Sequence, residues 1–221
     1  LAEGIDFSAG LMFGDFVNDG DVTARAVASL DSHNIATATS GSAQAGGGVD
    51  SFMGTSSTAG TQAVAEAYGV VAGFGSALLG AFENNGQVTA EALANVVYAA
   101  SAAGTSMAYA EAEASGAARA QGVGVFGNHI DYGIGNSGGI DALASALISA
   151  LAAGATSLAA AHGRATATGL AIDVDSIYGG IYNDDTGFTF TLVETPPSNS
   201  GVINATALVE ATAQGGSDMS A

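Results

Sequence analysis

One motif, met four times, constrains this chain more than any other feature: an apolar residue, any residue, Asn, any residue, Gly, any residue, Val or Ile, then alternating alanines. Its first copy is Phe16-Val17-Asn18-Asp19-Gly20-Asp21-Val22-Thr23-Ala24-Arg25-Ala26, and its second is Phe82-Glu83-Asn84-Asn85-Gly86-Gln87-Val88-Thr89-Ala90-Glu91-Ala92. The third runs from Ile134 through Asn136, Gly138 and Ile140 to Ala144. The fourth, Asn199-Ser200-Gly201-Val202-Ile203-Asn204-Ala205-Thr206-Ala207, lacks only the leading apolar residue. Self-similarity of long period marks a chain made of stacked supersecondary units, each unable to bury its apolar face alone.

A second motif, Ala-x-Ala-x-Gly followed by Val or Leu, precedes each later copy of the first. It reads Ala65-Glu66-Ala67-Tyr68-Gly69-Val70, Ala118-Arg119-Ala120-Gln121-Gly122-Val123 and Ala165-Thr166-Ala167-Thr168-Gly169-Leu170. The separation from its first alanine to the next asparagine is nearly constant for the pairs Ala65 and Asn84, Ala118 and Asn136, and Ala165 and Asn183. On that spacing Asn183, in Ile181-Tyr182-Asn183-Asp184-Asp185-Thr186-Gly187, is expected to be a variant of the first motif. The expected turn ladder is thus Asn18, Gly20, Asn84, Gly86, Asn136, Gly138, Asn183, Asn199 and Gly201. The asparagines are unevenly spaced, so insertions are expected, near 50–62 and 186–198.

Within each motif the period is two. Val22, Ala24, Ala26 and Ala28 share one face, and Thr23, Arg25, Val27 and Ser29 share the other; Glu91, Asp141 and Glu210 fall on the outer face of their copies. Alternation with charge confined to one parity is the mark of a strand. Alanine favours helix, but in Tyr109-Ala110-Glu111-Ala112-Glu113-Ala114 a helix would spread the two glutamates around its axis, whereas a strand places both on one face. Asn-x-Gly supplies the tight turns. Equivalent segments recur in one order and polarity, so parallel stacking accounts for them better than hairpins do. Trp is absent, aromatic residues are 7% and glycines number 33, so the interior is expected to be a narrow one filled by Ala and Gly. The expected fold is therefore all-β, a right-handed parallel β-helix (β-solenoid) spanning 1–221 as one elongated domain. Strands of ordinary length imply about 22–30 residues per coil and roughly seven to ten coils.

Twenty-one acidic residues oppose Arg25, Arg119 and Arg164, for a net charge of −18. Such a surface repels phosphate backbones and anionic membranes, so neither nucleic acid nor membrane insertion is expected. Cysteine is absent, which removes disulfide and thiolate chemistry. The uncharged stretch 142–161 has the length of a membrane span, but it is rich in Ala, Ser and Gly and aligns with repeat segments that carry glutamate.

The Asn136-Ser137-Gly138-Gly139-Ile140-Asp141-Ala142 run, taken with the Ala-x-Ala-x-Gly motif, resembles the degenerate repeats of autotransporter-type passengers and other secreted bacterial parallel β-helix proteins. The resemblance covers most of the chain. It implies an extracellular or cell-surface location, with adhesion or assembly as the function and cell-surface or matrix components as further partners. No translocator barrel segment accompanies the repeats, and the interior is poorer in large residues than in β-helix enzymes, so no enzymatic activity is expected. The preferred reading is a structural protein that self-associates head to tail into a surface filament or matrix fibre. The alternative is an adhesin passenger that binds a surface through the two insertions. Leu1-Ala2-Glu3-Gly4-Ile5 reads as the second motif without its first alanine, and placing Ala221 before Leu1 restores it. Leu1, Ala2, Gly4, Ile5 and Ala221 are therefore the expected assembly ends. Val27, Leu93, Ser145 and Leu208, equivalent outward positions, suggest an apolar seam.

Carboxylate pairs two apart on a strand (Glu111 and Glu113, Asp173 and Asp175) stand roughly 7 Å from each other, within glycosidase range, yet no aromatic platform or basic cluster accompanies them. Asp173, Asp175, Asp184 and Asp185 are the candidate Ca²⁺ ligands, since the ion takes clustered oxygens; their spacing matches neither an EF-hand nor a nonapeptide repeat. His33, His129 and His162 have no ligand-like spacing, and Gly46-Gly47-Gly48 lacks the residues of a phosphate loop. The Thr-x-Thr pairs at 37, 166 and 189 are too few and uneven for an ice-binding ladder.

Overall fold

The computed structural model describes residues 1–37, 42–46, 48–49, 57–58, 61–103, 107–154, 156–183, 190–194, 196–215 and 218–220. Among these the protein is all-β, without a helix, and its principal sheets are parallel, an arrangement consistent with a β-solenoid. The alanine tracts are strands whose residues alternate between inward and outward positions, and in β9 below burial alternates from Val88 to Ala103 without a break.

The chain makes four circuits. The first is β1 (Ala2–Phe13), β2 (Phe16–Asn18) and β3 (Val22–Thr37). The second opens with β4 (Ser42–Gly46), departs through an antiparallel hairpin of β5 (Gly48–Val49) and β6 (Ser57–Thr58), and resumes as β7 (Thr61–Leu79), β8 (Phe82–Asn84) and β9 (Val88–Ala103). The third is β10 (Met107–Ile130), β11 (Ile134–Asn136) and β12 (Gly139–Ala153). The fourth comprises β13 (Thr156–Asn183), β14 (Phe190–Glu194), β15 (Ser198–Asn199) and β16 (Val202–Gln214), and β17 (Asp218–Ser220) follows it.

Equivalent strands stack in order. β1, β7, β10 and β13 form one long sheet, β2, β8, β11 and β15 a short corner sheet, and β3, β9, β12 and β16 a second long sheet. Both sequence motifs thus belong to one circuit: the Ala-x-Ala-x-Gly motif lies on the first long sheet, and the Asn-x-Gly motif turns the corner and opens the second. That corrects the coil count. Four circuits replace the seven to ten expected, because strands of 12 to 28 residues replace strands of ordinary length. Small inward side chains let the two long sheets lie close.

The insertions leave the stack at definite places. Gly46 pairs with Glu111 and Thr61 with Ala114 on the same neighbour, β10, so the chain between 46 and 61 departs across a gap of only two rungs. In the fourth circuit β14 folds back antiparallel on the end of β13, pairing Tyr182 with Thr191, before β15 returns to the corner. A smaller irregularity sits in β7. Phe74 pairs with both Ala9 and Gly127, yet Ala77 pairs with Leu11 and Leu78 with Ile130, so one extra residue bulges between. The bulge accounts for the separation of Ala65 from Asn84 exceeding that of Ala118 from Asn136.

The core has two parts of different calibre. Away from the corner the facing sheets contribute columns of alanine, among them Ala65, Ala67, Ala92, Ala94, Ala118, Ala120, Ala144 and Ala146, all buried. Nearer the corner the interior widens and fills with Val70, Phe74, Leu78, Phe82, Val88, Val123, Ile130 and Ile140. Phe16 stacks on Phe82 at 5.1 Å, nearly parallel. The narrow Ala/Gly interior expected from composition therefore describes only the first part. A glycine column marks the boundary. A Cβ on Gly122 would lie 2.3 Å from Ile140 Cγ2 and 2.7 Å from the Gly169 carbonyl, and Gly4, Gly69 and Gly169 meet Val22, Val88 and Ile203 in the same way. Only glycine allows this approach of backbone to side chain. Residues 142–161 fall in β12 and β13 and in the link between them, and no helix among the described residues is long and apolar enough to cross a membrane.

Candidate assembly interface

The corner is held by a ladder of asparagines, the first three buried and the last exposed. Asn18, Asn84, Asn136 and Asn199 occupy one column, joined Asn18 Nδ2 to Asn84 Oδ1 at 2.7 Å, Asn84 Nδ2 to Asn136 Oδ1 at 2.7 Å, and Asn136 Nδ2 to Asn199 Oδ1 at 2.6 Å. The sequence separations across these bonds are 66, 52 and 63 residues, so register and not spacing brings the amides together. Each of Asn84, Asn136 and Asn199 also donates to the carbonyl of the glycine two residues on. The backbone repeats the pattern: the Asn18 carbonyl accepts from Asn85 N and Gly86 N, the Asn84 carbonyl from Ser137 N and Gly138 N, and the Asn136 carbonyl from Ser200 N and Gly201 N. The side-chain bonds all point one way along the stack and the turn bonds point the other. An outer row runs beside them, with Asn85 donating to Asp19 and Ser137 to Asn85.

Asn183 does not join this column, which corrects its expected place in the turn ladder. It lies at the end of β13 on a long sheet, where its backbone pairs with Phe190 of the returning β14. The local pattern around it matched the motif, but the chain still had to travel back to the corner, and Asn199 fills the fourth rung. The neighbouring Asp184 and Asp185 lie outside the described residues, as does Ala221. Asp173 and Asp175 are exposed on β13, Asp173 beside Phe126. Among the described residues no three His, Asp or Glu side chains gather in a way that would hold a metal ion.

Among the described residues the outer edge of the first circuit is uncovered, and that of the fourth is covered only where β14 and β17 pair with β13. At the first circuit Leu1 is exposed and Ala2 and Ile5 are half-buried, paired with Ala67 and Val70. At the fourth, Val209 is 45% exposed although Ala94 and Ala146 of its column are fully buried. β17 lies on this side, pairing Ser220 with Ala160. Ala2 shares a column with Ala67, Ala120 and Ala167, so β17 and β1 occupy different columns. The outward row Val27, Leu93, Ser145, Leu208 forms one stacked column, in which Val27 and Leu208 are about half exposed.

Charge is distributed by register. In none of the described pairings does one acidic residue stand directly opposite another; Glu91 faces Arg25 at 2.8 Å and Glu66 faces Arg119, while Glu3, Asp6, Glu111, Asp141, Asp173 and Glu210 face neutral residues. Arg119 also lies 5.7 Å from the Tyr68 ring centre.

One cluster is invisible in the sequence. His129 bridges Ser176, 3.0 Å from Nδ1, and the buried Asp131 at Nε2, with the Tyr178 ring 4.7 Å away. Ser176 Oγ also donates to the Asn128 carbonyl at 3.1 Å, which ties the third circuit to the fourth. His33 pairs with Asp31 on the surface, and His162 is exposed.

The fold and the ladder together define a class: an all-β chain of parallel circuits with a polar spine at one corner. Comparison with protein-family models, with curated proteins and with solved structures returned no match to this chain.

Proposed function

We propose that the chain is a right-handed parallel β-helix of the secreted bacterial kind and acts as an extracellular structural protein, self-associating head to tail into a filament or matrix fibre. The observation that carries this reading is that the first and fourth circuits share their columns and, among the described residues, each leaves much of its outer edge unpaired. Exposed sheet edges template further strands unless they are blocked, and a heterologous contact that does not close propagates. The net charge of −18 keeps such subunits soluble before they join. Each copy would add four levels at about 4.8 Å, so the subunit rise along the fibre is about 19 Å. Electron microscopy of the purified 221-residue chain tests this. Unbranched filaments with that rise are expected, and monodisperse short rods at every concentration would refute it.

A further inference from the structure

The self-association proposed above leaves polarity and register open, and the corner supplies both. We propose that a second copy docks its first circuit on the fourth circuit as though it were a fifth, with Asn18 over Asn199, Val22 over Ile203 and Ala2 over Ala167.

The ladder is directional, and its two ends are complementary. Asn199 Nδ2 uses one hydrogen on the Gly201 carbonyl, which leaves its second for the next rung. Among the described residues no donor reaches Asn18 Oδ1 at the other end. The Asn199 carbonyl stands where Asn18, Asn84 and Asn136 each accept two backbone N–H groups from the following circuit; Asp19 N and Gly20 N of the incoming copy are the matching donors. A head-to-head contact would face like groups with each other and satisfy none of these.

Gly20 is the independent sign. Within the stack, a Cβ on Gly86, Gly138 or Gly201 would strike the carbonyl of the preceding turn glycine at 2.1, 2.0 and 1.9 Å respectively. A Cβ on Gly20 would meet nothing within 4 Å and its φ lies outside the left-handed region, so nothing among the described residues requires glycine there. A neighbouring copy seated beneath it does, because the Gly201 carbonyl would then occupy the equivalent place.

Charge selects the same register. Carried through the pairings, it sets Glu3 over Thr168, Asp6 over Ala171, Ser8 over Asp173, Ser29 over Glu210 and Asp31 over Thr212, with no acid facing an acid. A slip of two residues, the smallest that keeps the inner face inward, sets Asp31 against Glu210. β17 and β14 leave room between them, since β17 pairs with Leu158–Ala160 and β14 with β13 from Tyr178 onward, while the incoming strand runs from Ala2 over Ala167 to Met12 over Ile177 and must leave the edge at Phe13.

The test is Gly20→Ala in the 221-residue chain, with light scattering for assembly and circular dichroism for folding. The expected result is an unchanged thermal midpoint in dilute solution and a critical concentration raised at least tenfold. Equal assembly of Gly20→Ala and wild type, or a lowered midpoint of the dilute variant, overturns the register. A wild-type chain that never assembles defeats the self-association reading instead. Cysteine pairing supplies a second measurement. Thr23→Cys mixed with Asn204→Cys should give a disulfide-linked dimer on oxidation, because the two columns coincide. Cross-linking of Thr23→Cys to itself, or none in filaments that form, overturns the proposal.

Discussion

Replacing Asn84 with alanine should cost far more than the same change at Asn199, although both carry the same motif. Asn84 is 1% exposed and sits between two buried amides. It accepts from Asn18 Nδ2 at 2.7 Å and donates to Asn136 Oδ1 at 2.7 Å and to the Gly86 carbonyl at 3.2 Å. Truncation strands a donor on Asn18 and an acceptor on Asn136, both in buried side chains. An abandoned buried polar group costs about 1–3 kcal/mol, so the loss should be about 4 kcal/mol. Asn199 is exposed; its truncation strands one hydrogen of Asn136 Nδ2, which keeps the Gly138 carbonyl, and about 1 kcal/mol is expected. Urea unfolding followed by circular dichroism, below the assembly concentration, reads the difference. With a slope of about 2–3 kcal/mol per molar, the two midpoints should lie about 1–1.5 M apart. Equal shifts would show that the spine is held by the backbone turn bonds alone and would refute the reasoning.

Three further outcomes follow from the same geometry. Asn18→Asp sets a carboxylate against Asn84 Oδ1 and should lower the urea midpoint, whereas Asn199→Asp keeps the bond from Asn136, gives up only an exposed bond to the Gly201 carbonyl and should lower the midpoint much less; reversed effects would contradict the ladder's direction. Gly122→Ala drives a Cβ into Ile140 and the Gly169 carbonyl; overpacking of about 3 kcal/mol should lower Tm by about 6–12 °C, and an unchanged Tm would remove the close-approach argument. Burial pushes the Tyr98 hydroxyl above its ordinary 10.0; the hydrogen bond from Asn34 opposes this and Glu111 adds to it. The folded state therefore holds this proton more tightly than the unfolded chain, and that stability is intact below pH 10 and lost as pH rises from there through the higher folded value. Tm measured across alkaline pH should fall more steeply for wild type than for Tyr98→Phe, and parallel curves would count against it.

Much of this architecture is legible in the residues, and the failures share one cause. Val22, Val88, Ile140 and Ile203 are readable as one inward column because each opens an alternating alanine tract two residues after a turn glycine, and the structure pairs them in that order. Asn18, Asn84, Asn136 and Asn199 are readable for the same reason. Asn183 shows where local pattern stops being enough: the fourth circuit carries extra chain as β14, and only pairing with a neighbouring strand reveals that Asn183 has not reached the corner. The bond between His129 and Ser176 needs the same information, since these residues become neighbours only when β10 and β13 are aligned. The expected coil count was too high because strand length is also set by pairing: strands of 12 to 28 residues carry each circuit further than strands of ordinary length would.

Register also explains why the repeats are imperfect. In a parallel stack each residue lies about 4.8 Å from its equivalents above and below, so a faithful repeat bearing one glutamate would become a column of glutamates. Like charges directly opposite are destabilising, and with 21 acids the accumulated repulsion would rival the modest net stability of a domain. The chain avoids this by varying the outward position while keeping the inward one. The column of Glu91 reads Arg25, Glu91, Leu143, Thr206, and that of Asp141 reads Thr23, Thr89, Asp141, Asn204. Meanwhile Ala24, Ala90, Ala142 and Ala205 repeat without change in the inward column between them. Constancy inside and variation outside are thus two consequences of one constraint. It also bears on any added circuit, which must keep the inner alanines and place its acids where the preceding circuit has none.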